Sequence, residues 1–547
     1  VTDPLHDRSG PDTFWTTVNA AEALPGVSTP LNWSIFGDAV ERAFRWTFVD
    51  MGVLHPAGVM VSASVDDRLW GVFYGRAAAN LDTFRRLADL TPGTSGESIE
   101  VQIFGTARPD APSNPSRRRY PFVAAKMPRS ALALPKVLAA HRASVEAFWR
   151  SSVLDPPTDG AGARALFAAA VARFEGVMRP HTLAAMLAQA VYEQAQKLAT
   201  GAGLPGLETR FMTGYGGFEE TRLMRELWAV SRGRRSFDDL IAAHGYHGPT
   251  EGEISTRSWR EDRTPVARLL ETYRGMDETA GPEAIEITRA TEREAATAAL
   301  LAALPATKRP AARLVLGACR RYIPLREVGK TAFLQTLDTA RSAARLVGED
   351  LARRGVLGDP EDVFYLTVAE VLDPSVSARG MGGVPPTKAA AAARDSIKNA
   401  VALRRERREE YLKVKLPESW TGQPEAIPIT ASEAAAEGTE ITGLAVSPGV
   451  TQGRARVMLD PLAGDPLEPG EILVCETTDP SWTSLFLVAA GLVIDVGGPL
   501  SHGAILAREL GVPCVINSRV GTSVLRTGDL LRVDGDAGRV EVLRSAQ

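Results

Sequence analysis

The hydrophobic period of this chain changes twice along its length, and those changes restrict its architecture more than any other feature. From about residue 131 to 415, Ala, Leu, Arg and Glu dominate and apolar residues recur at helical spacing. In 331–354, Phe333, Leu334, Leu337, Ala340, Ala344 and Leu351 share one face, with arginines and acids opposite. Several long packed helices are the economical solution. Residues 1–130 instead mix short strand-like runs with turns. I-E-V-Q-I-F (99–104) and G-V-M-V-S-A-S-V (58–65) read as strands, and R-L-W-G-V-F-Y-G (68–75) would pair with the latter as a hairpin across Asp66-Asp67.

At 416–438 the pattern breaks into a stretch rich in Pro, Gly, Ser, Thr and Glu, expected to be a hinge linker without a packed core. Residues 439–547 follow with short β runs, Gly and Pro turns and one convincing helix, H-G-A-I-L-A-R-E-L. The expected fold is α+β. An acceptor-binding region (1–415, with an α/β part at 1–130 and a mainly helical part at 131–415) precedes a small C-terminal α/β domain.

Bulk properties exclude several functions. With 62 Lys+Arg against 66 Asp+Glu the net charge is −4, which gives no footprint for nucleic acid and no polybasic block for a membrane surface. No stretch approaches the ~18 uninterrupted apolar residues of a membrane span, and the polar N-terminus does not read as a signal peptide. Cys319, Cys475 and Cys514 are odd in number and far apart, which fits a reducing cytoplasm rather than a disulfide framework.

The most informative segment is I-D-V-G-G-P-L-S-H-G-A-I-L-A-R-E-L-G-V-P-C-V (494–515). An apolar strand ends in Gly497-Gly498, which permits a tight turn and a close approach to a ligand. Pro499 and Ser501 suit a helix entry, with Ser501 as N-cap. His502 then falls in the first turn, where unbonded N–H groups and the helix dipole would stabilise a phosphoryl group on its imidazole. Gly503 and Ala504 would keep the ring's surroundings small enough for another domain to dock. The absence of an acid or second His at i+4 argues against a metal there.

This segment resembles the phosphohistidine domain of the phosphoenolpyruvate synthase and pyruvate phosphate dikinase superfamily, through Gly497, Gly498, Ser501, His502, Ala504, Ala507, Arg508, Glu509, Gly511 and Pro513. S-P-G-V-T-Q-G-R-A (447–455) matches the start of the same domain. Leu500 stands where the pyruvate enzymes carry threonine, so the motif looks more like the rifampin phosphotransferase and aryl-phosphate synthase branches. The resemblance implies a swivelling β/β/α domain with His502 as the phosphoryl carrier. Only residues 522–547 follow C-V-I-N-S-R-V-G, too few for the (β/α)₈ barrel of about 250 residues that binds pyruvate, so phosphoenolpyruvate is not the expected product.

Four further blocks carry the resemblance along the chain. They are V-N-A-A-E-A-L-P-G-V-S-T-P-L-N-W-S (18–34), H-G-Y-H-G-P-T-E-G-E-I-S-T-R-S-W-R-E-D (244–262), R-E-V-G-K (326–330) and V-F-Y-L-T-V-A-E-V (363–371). Arg326 and Lys330, at i and i+4, share one helical face and could together hold a transferring phosphoryl group. The resemblance implies that they face the phosphohistidine. The alternative is a solvated face paired with Glu327.

His244, His247, Glu251 and Glu253 crowd a loop that lacks metal-ligand spacing. His247 is a candidate general base or orienting group, and Glu251 a second candidate. Trp33, among the N-terminal aromatics, is a candidate for the acceptor wall.

No ATP-grasp signature is visible. T-G-Y-G-G-F-E (213–219) reads as a helix–helix connection. The expected arrangement is therefore no cofactor and no metal on this chain, with ATP and Mg²⁺ on an ATP-grasp partner subunit. The expected reaction is transfer to a small aromatic hydroxyl, a phenol or alkylphenol. A rifamycin-type antibiotic acceptor is the alternative, and a phosphocarrier or regulatory binding protein the rival from another class.

Overall fold

The computed structural model describes residues 3–18, 20, 24–92, 94–104, 108, 111–215, 219–278, 281–377, 388–429, 434–461, 464–478, 482–498 and 501–546. The chain divides into two compact units. Unit 1 is Val1–Thr182, Gly252–Thr256 and Gly329–Ile429, and unit 2 is Leu183–Glu251, Arg257–Val328 and Thr430–Gln547. The helices Gly160–Gly201 and Leu325–Arg353 each run from one unit into the other. Among the described residues, no helix is long and apolar enough to cross a membrane. The fold is α+β.

In unit 1, Trp70–Phe73, Arg76–Asn80, Phe14–Thr16 and Ser419–Thr421 form an antiparallel sheet in that order. Its core joins Leu31, Ile35 and Phe36 of the Pro30–Asp50 helix to Phe167 and Phe174 of Gly160–Gly201 and to Leu337, Ala340 and Ala344 of Leu325–Arg353. The face of 331–354 expected to be polar is partly internal. Asp338 and Arg341 are buried, Asp338 accepting from Trp149 Nε1 at 2.8 Å and Arg341 donating to the Glu253 carbonyl at 3.2 Å. A polar side chain can enter a helical core when such partners replace water.

Unit 2 holds the helices Glu219–Ser231, Phe237–His244, Thr264–Arg274, Pro282–Ala303 and Arg309–Tyr322. It also holds an eight-stranded sheet, ordered Glu440–Thr442, Arg539–Arg544, Leu530–Asp534, Val450–Val457, Ile472–Cys475, Gly491–Ile494, Cys514–Ile516, Leu444–Ser447. The four strands from Val450–Val457 to Cys514–Ile516 run parallel. The near-continuous apolar sequences of the last three, Ile472–Cys475, Gly491–Ile494 and Cys514–Ile516, follow from cover on both faces. Leu473, Cys475, Leu492, Ile494 and Ile516 pack with Leu223, Leu227 and Tyr273 of the helical segment. Val474, Val493 and Val515 point to the other face, with Leu531, Val533 and Val540.

The structure corrects four local expectations. Residues 99–104 lie in a helix, Gly96–Phe104, because Glu100 is drawn inward by Arg85 at 2.7 Å and by Arg108, while Val101 is exposed. Tertiary ion pairing overrides the local β pattern there. Residues 58–65 are not a strand but two short 3₁₀ turns, Pro56–Val59 and Val65–Asp67, joined by irregular chain. Asp66 is not a hairpin tip; its carboxylate accepts from Ser9, Gly10 and Thr13.

The hairpin that does form joins Trp70–Phe73 to Arg76–Asn80 across Tyr74 (φ 48°) and Gly75 (φ 73°). Two consecutive positive φ values match the twist of paired strands.

Finally, the described part of 416–438 is not a bare linker. Ser419–Thr421 is a sheet strand, Trp420 is buried with its ring 5.4 Å from Phe73, and Ile427–Pro428 pairs with Val414–Lys415. One large ring placed opposite Trp15 gains enough from burial to order a segment whose composition reads as loop.

Candidate functional site

The parallel strand Gly491–Ile494 leads into a turn and then the His502–Leu510 helix. A side chain at Gly497 would collide with Ile516, whereas the space beside Gly498 is open. Ser501 donates its N–H to the Gly498 carbonyl at 3.0 Å, and its Oγ accepts from Ala504 N at 3.2 Å as the N-cap. Pro499 and Leu500 lie outside the described residues. Asp495 braces the strand end, accepting from Ser518 Oγ and Gly521 N, both at 2.6 Å.

These supports fix His502 as the first residue of the helix, with the ring largely buried. Its Nε2 lies 3.4 Å from Thr483 Oγ1, and the ring centre lies 6.5 Å from Phe486. Thr483 gave no sequence signal, since nothing in its spacing ties it to a residue nineteen positions away. The missing side chain of Gly503 admits Ile494 Cδ1 and Thr478 Oγ1 of the same domain, which would lie 2.6 and 2.7 Å from a Cβ there.

The far end of this helix is charged and buried. Arg508 donates to the Val446 carbonyl at 3.3 Å. Burial lowers its pKa; Tyr192, Cys514 and Glu509 oppose this, and the charge of Arg326 adds to the lowering. Arg326 thus lies within electrostatic reach of the histidine-bearing helix. Lys330 is one turn further along Leu325–Arg353, in unit 1. Both are part-buried rather than fully solvated, and Glu327 between them is buried. A side chain at Gly329 would meet the His181 ring 2.7 Å away, so glycine lets the Gly160–Gly201 helix approach.

His247 and Glu251 come together: Nδ1 and Oε1 are 2.5 Å apart, both buried. Beside them His244 Nε2 lies 2.8 Å from Glu226 Oε2, and the two imidazoles stack with centres 6.0 Å apart. Burial lowers the pKa of His244. For Glu226, burial acts upward but is outweighed by the hydrogen bond and charge of His244 and by Arg235 and Arg222, so its pKa falls. The Glu226–His244 pair was missed because its members are eighteen residues apart on different helices. Glu253 belongs elsewhere, accepting from Thr29 N at 2.9 Å and Thr29 Oγ1 at 2.7 Å at the start of Pro30–Asp50. Trp33 sits on that helix, half-buried against the unit 1 core.

Residues 467–538 match the PEP-utilising enzyme mobile domain, and residues 218–327 match the rifampicin phosphotransferase fourth domain. Two regions of the chain are thus of PEP-utilising phosphotransferase type. The chain is 32% identical over 335 residues to a rifampicin phosphotransferase of Streptomyces sviceus, covering 60% of this chain and 37% of that protein. It is 29% identical over 317 residues to the rifampicin phosphotransferase of Bacillus subtilis (57% and 35%) and 30% identical over 303 residues to an uncharacterized protein of Mycobacterium tuberculosis (55% and 30%). The chain therefore spans about a third of the curated relatives it matches. The mobile-domain match lies in unit 2, as does the fourth-domain match apart from Gly252–Thr256, and within unit 2 the helix bearing His502 packs with helices of the 218–327 region.

Proposed function

We propose that the chain carries the phosphohistidine and acceptor-binding parts of a phosphotransferase acting on a rifamycin-type hydroxyl. The observation that carries this reading is His502 at the N-terminus of its helix, in a mobile domain packed on a fourth domain of the rifampicin phosphotransferase type. The names of the relatives favour this acceptor over the phenol expected first. The overall reaction is ATP + acceptor-OH + H₂O → acceptor-phosphate + AMP + phosphate. ATP and Mg²⁺ belong to an ATP-grasp module, on the same or a separate polypeptide.

In this reading His502 accepts the β-phosphoryl of ATP, and the helix dipole stabilises the charge it then carries. Arg326 and Lys330 neutralise the equatorial oxygens as the phosphoryl leaves nitrogen for oxygen. His247 takes the acceptor's proton. Glu251 on its Nδ1 fixes the tautomer, which makes Nε2 the basic nitrogen.

Chain mixed with an ATP-grasp module, ATP and either rifamycins or phenols tests the reading, with AMP and acceptor phosphate as readouts. Rifamycin phosphate is expected. Turnover of phenols alone would restore the aryl-phosphate alternative, and loading of His502 without discharge to either class would indicate a phosphocarrier.

A further inference from the structure

The segment T-G-Y-G-G (213–217) takes no part in the chemistry above. Residues 216–218 lie outside the described residues, but Thr213 to Tyr215 follow the Leu207–Met212 turn and hold a defined position. Gly214 has φ 68°, and a Cβ there would stand 2.5 Å from Ala290 N and from the Arg289 carbonyl carbon. The loop therefore rests on the backbone of Pro282–Ala303, where only glycine fits.

Both backbone groups of Gly214 are engaged. Its carbonyl accepts from Arg293, and its N–H points at both carboxylate oxygens of Glu509, 3.2 and 3.1 Å away. Glu509 is buried, and it lies two turns along the helix from His502. Gly511, which ends that helix at φ 69°, leaves room for the Arg289 guanidinium.

A carboxyl removed from water costs stability unless its partners compensate, and such groups are retained where they fix a register. Apart from Arg508 beside it on its own helix, Glu509 meets its partners outside the mobile domain. The Gly214 contact is therefore made by the histidine helix to a loop outside its own domain.

We propose that Glu509 and Gly214 are a positioning pair that sets the acceptor-side station of the His502 helix, and that their contact opens when the helix leaves to be loaded. This rests on the phosphohistidine reading above. The groups facing Glu509 are Arg508 on its own helix, Glu286 and Arg289 on Pro282–Ala303, and Gly214 and Tyr215 in the loop. Burial, the largest effect, raises the Glu509 carboxyl to about 7, against the Gly214 N–H and the charge of Arg508. The strength of the contact should therefore vary near neutral pH.

The test uses phosphoramidate, a small donor that can load His502 without any protein module. Glu509→Ala should load at the wild-type rate but discharge to rifampicin about tenfold more slowly, the rate equivalent of one hydrogen bond. Glu509→Gln keeps an oxygen for the Gly214 N–H and should restore discharge.

Amide exchange reads the contact without chemistry. Segments 213–215 and 503–511 should lose protection together in Glu509→Ala. In the wild type their protection, corrected for intrinsic exchange, should change through about pH 7. If wild-type phosphoprotein does not discharge to rifampicin but the exchange behaves as stated, the acceptor assignment fails and the pair stands. Unchanged exchange across pH and in Glu509→Ala, or a Gln variant as impaired as Ala, overturns the pair. Should Glu509→Ala not fold, the wild-type pH series and the Gln variant decide.

Discussion

The hydroxyl of Thr483 lies 3.4 Å from Nε2 of His502, close enough to orient the imidazole at the helix N-terminus. The contact is long for a hydrogen bond, so it aims the ring rather than locking it. Thr483→Val keeps the shape and removes the hydroxyl. Formation of phospho-His502, followed by rapid quench, should slow about two- to threefold, the low end of the value of a hydrogen bond. A wild-type rate would remove Thr483 from the reaction.

His502→Ala should abolish acid-labile phosphate on the chain and all transfer to acceptor. The fold should survive, because Ser501 and not His502 supplies the N-cap. Mass spectrometry at alkaline pH, with circular dichroism as the control, checks both parts. Phosphate retained elsewhere on the variant would identify a different carrier.

Lys330→Ala and Arg326→Lys should load normally and discharge roughly 10²–10³ more slowly, the usual loss for one donor aimed at developing charge. Lysine in place of arginine fails because a point charge lacks the two-pronged contact. A pulse-chase from labelled phospho-His502 separates the two steps. Wild-type discharge from both variants would reduce the pair to packing on the Leu325–Arg353 helix.

Unit 2 should lose stability as pH rises from about 4.5 to about 7. The Glu509 carboxyl ionises near 4.5 when unfolded and near 7 when folded, so the folded state binds the extra proton between these limits. Its stabilising contribution is complete below the lower value and gone above the upper one. The difference is on the order of 3 kcal/mol. Denaturant titrations across that range should show a shallower pH slope for Glu509→Gln; coincident slopes would refute the assignment.

Much of the site was legible before the fold. The strand, the Gly497-Gly498 turn, the Ser501 cap and the placement of His502 are local consequences of residue type, because backbone freedom and capping act over a few positions. The one-turn spacing of Arg326 and Lys330 is equally local. The His247–Glu251 contact spans only four residues, and both were singled out. Its companion, Glu226 with His244, depends on how two helices cross and left no trace in the order of residues. The strand expected at 99–104 failed for a similar reason. Alternation in I-E-V-Q-I-F is a local signal, but the position of Arg85 and Arg108 around Glu100 is not.

The sequence by itself determined the α+β class, the long helices, the short β runs of the C-terminal domain and the phosphohistidine motif. Each of these is written in periodicity or in short-range geometry. Only the tertiary structure decided that Thr483 stands at the histidine, that Trp420 closes a sheet begun by Trp15, and that Glu509 is seated on the amide of Gly214. Those contacts join residues 19, 405 and 295 positions apart, and such pairs meet only when whole elements pack to bury their apolar faces.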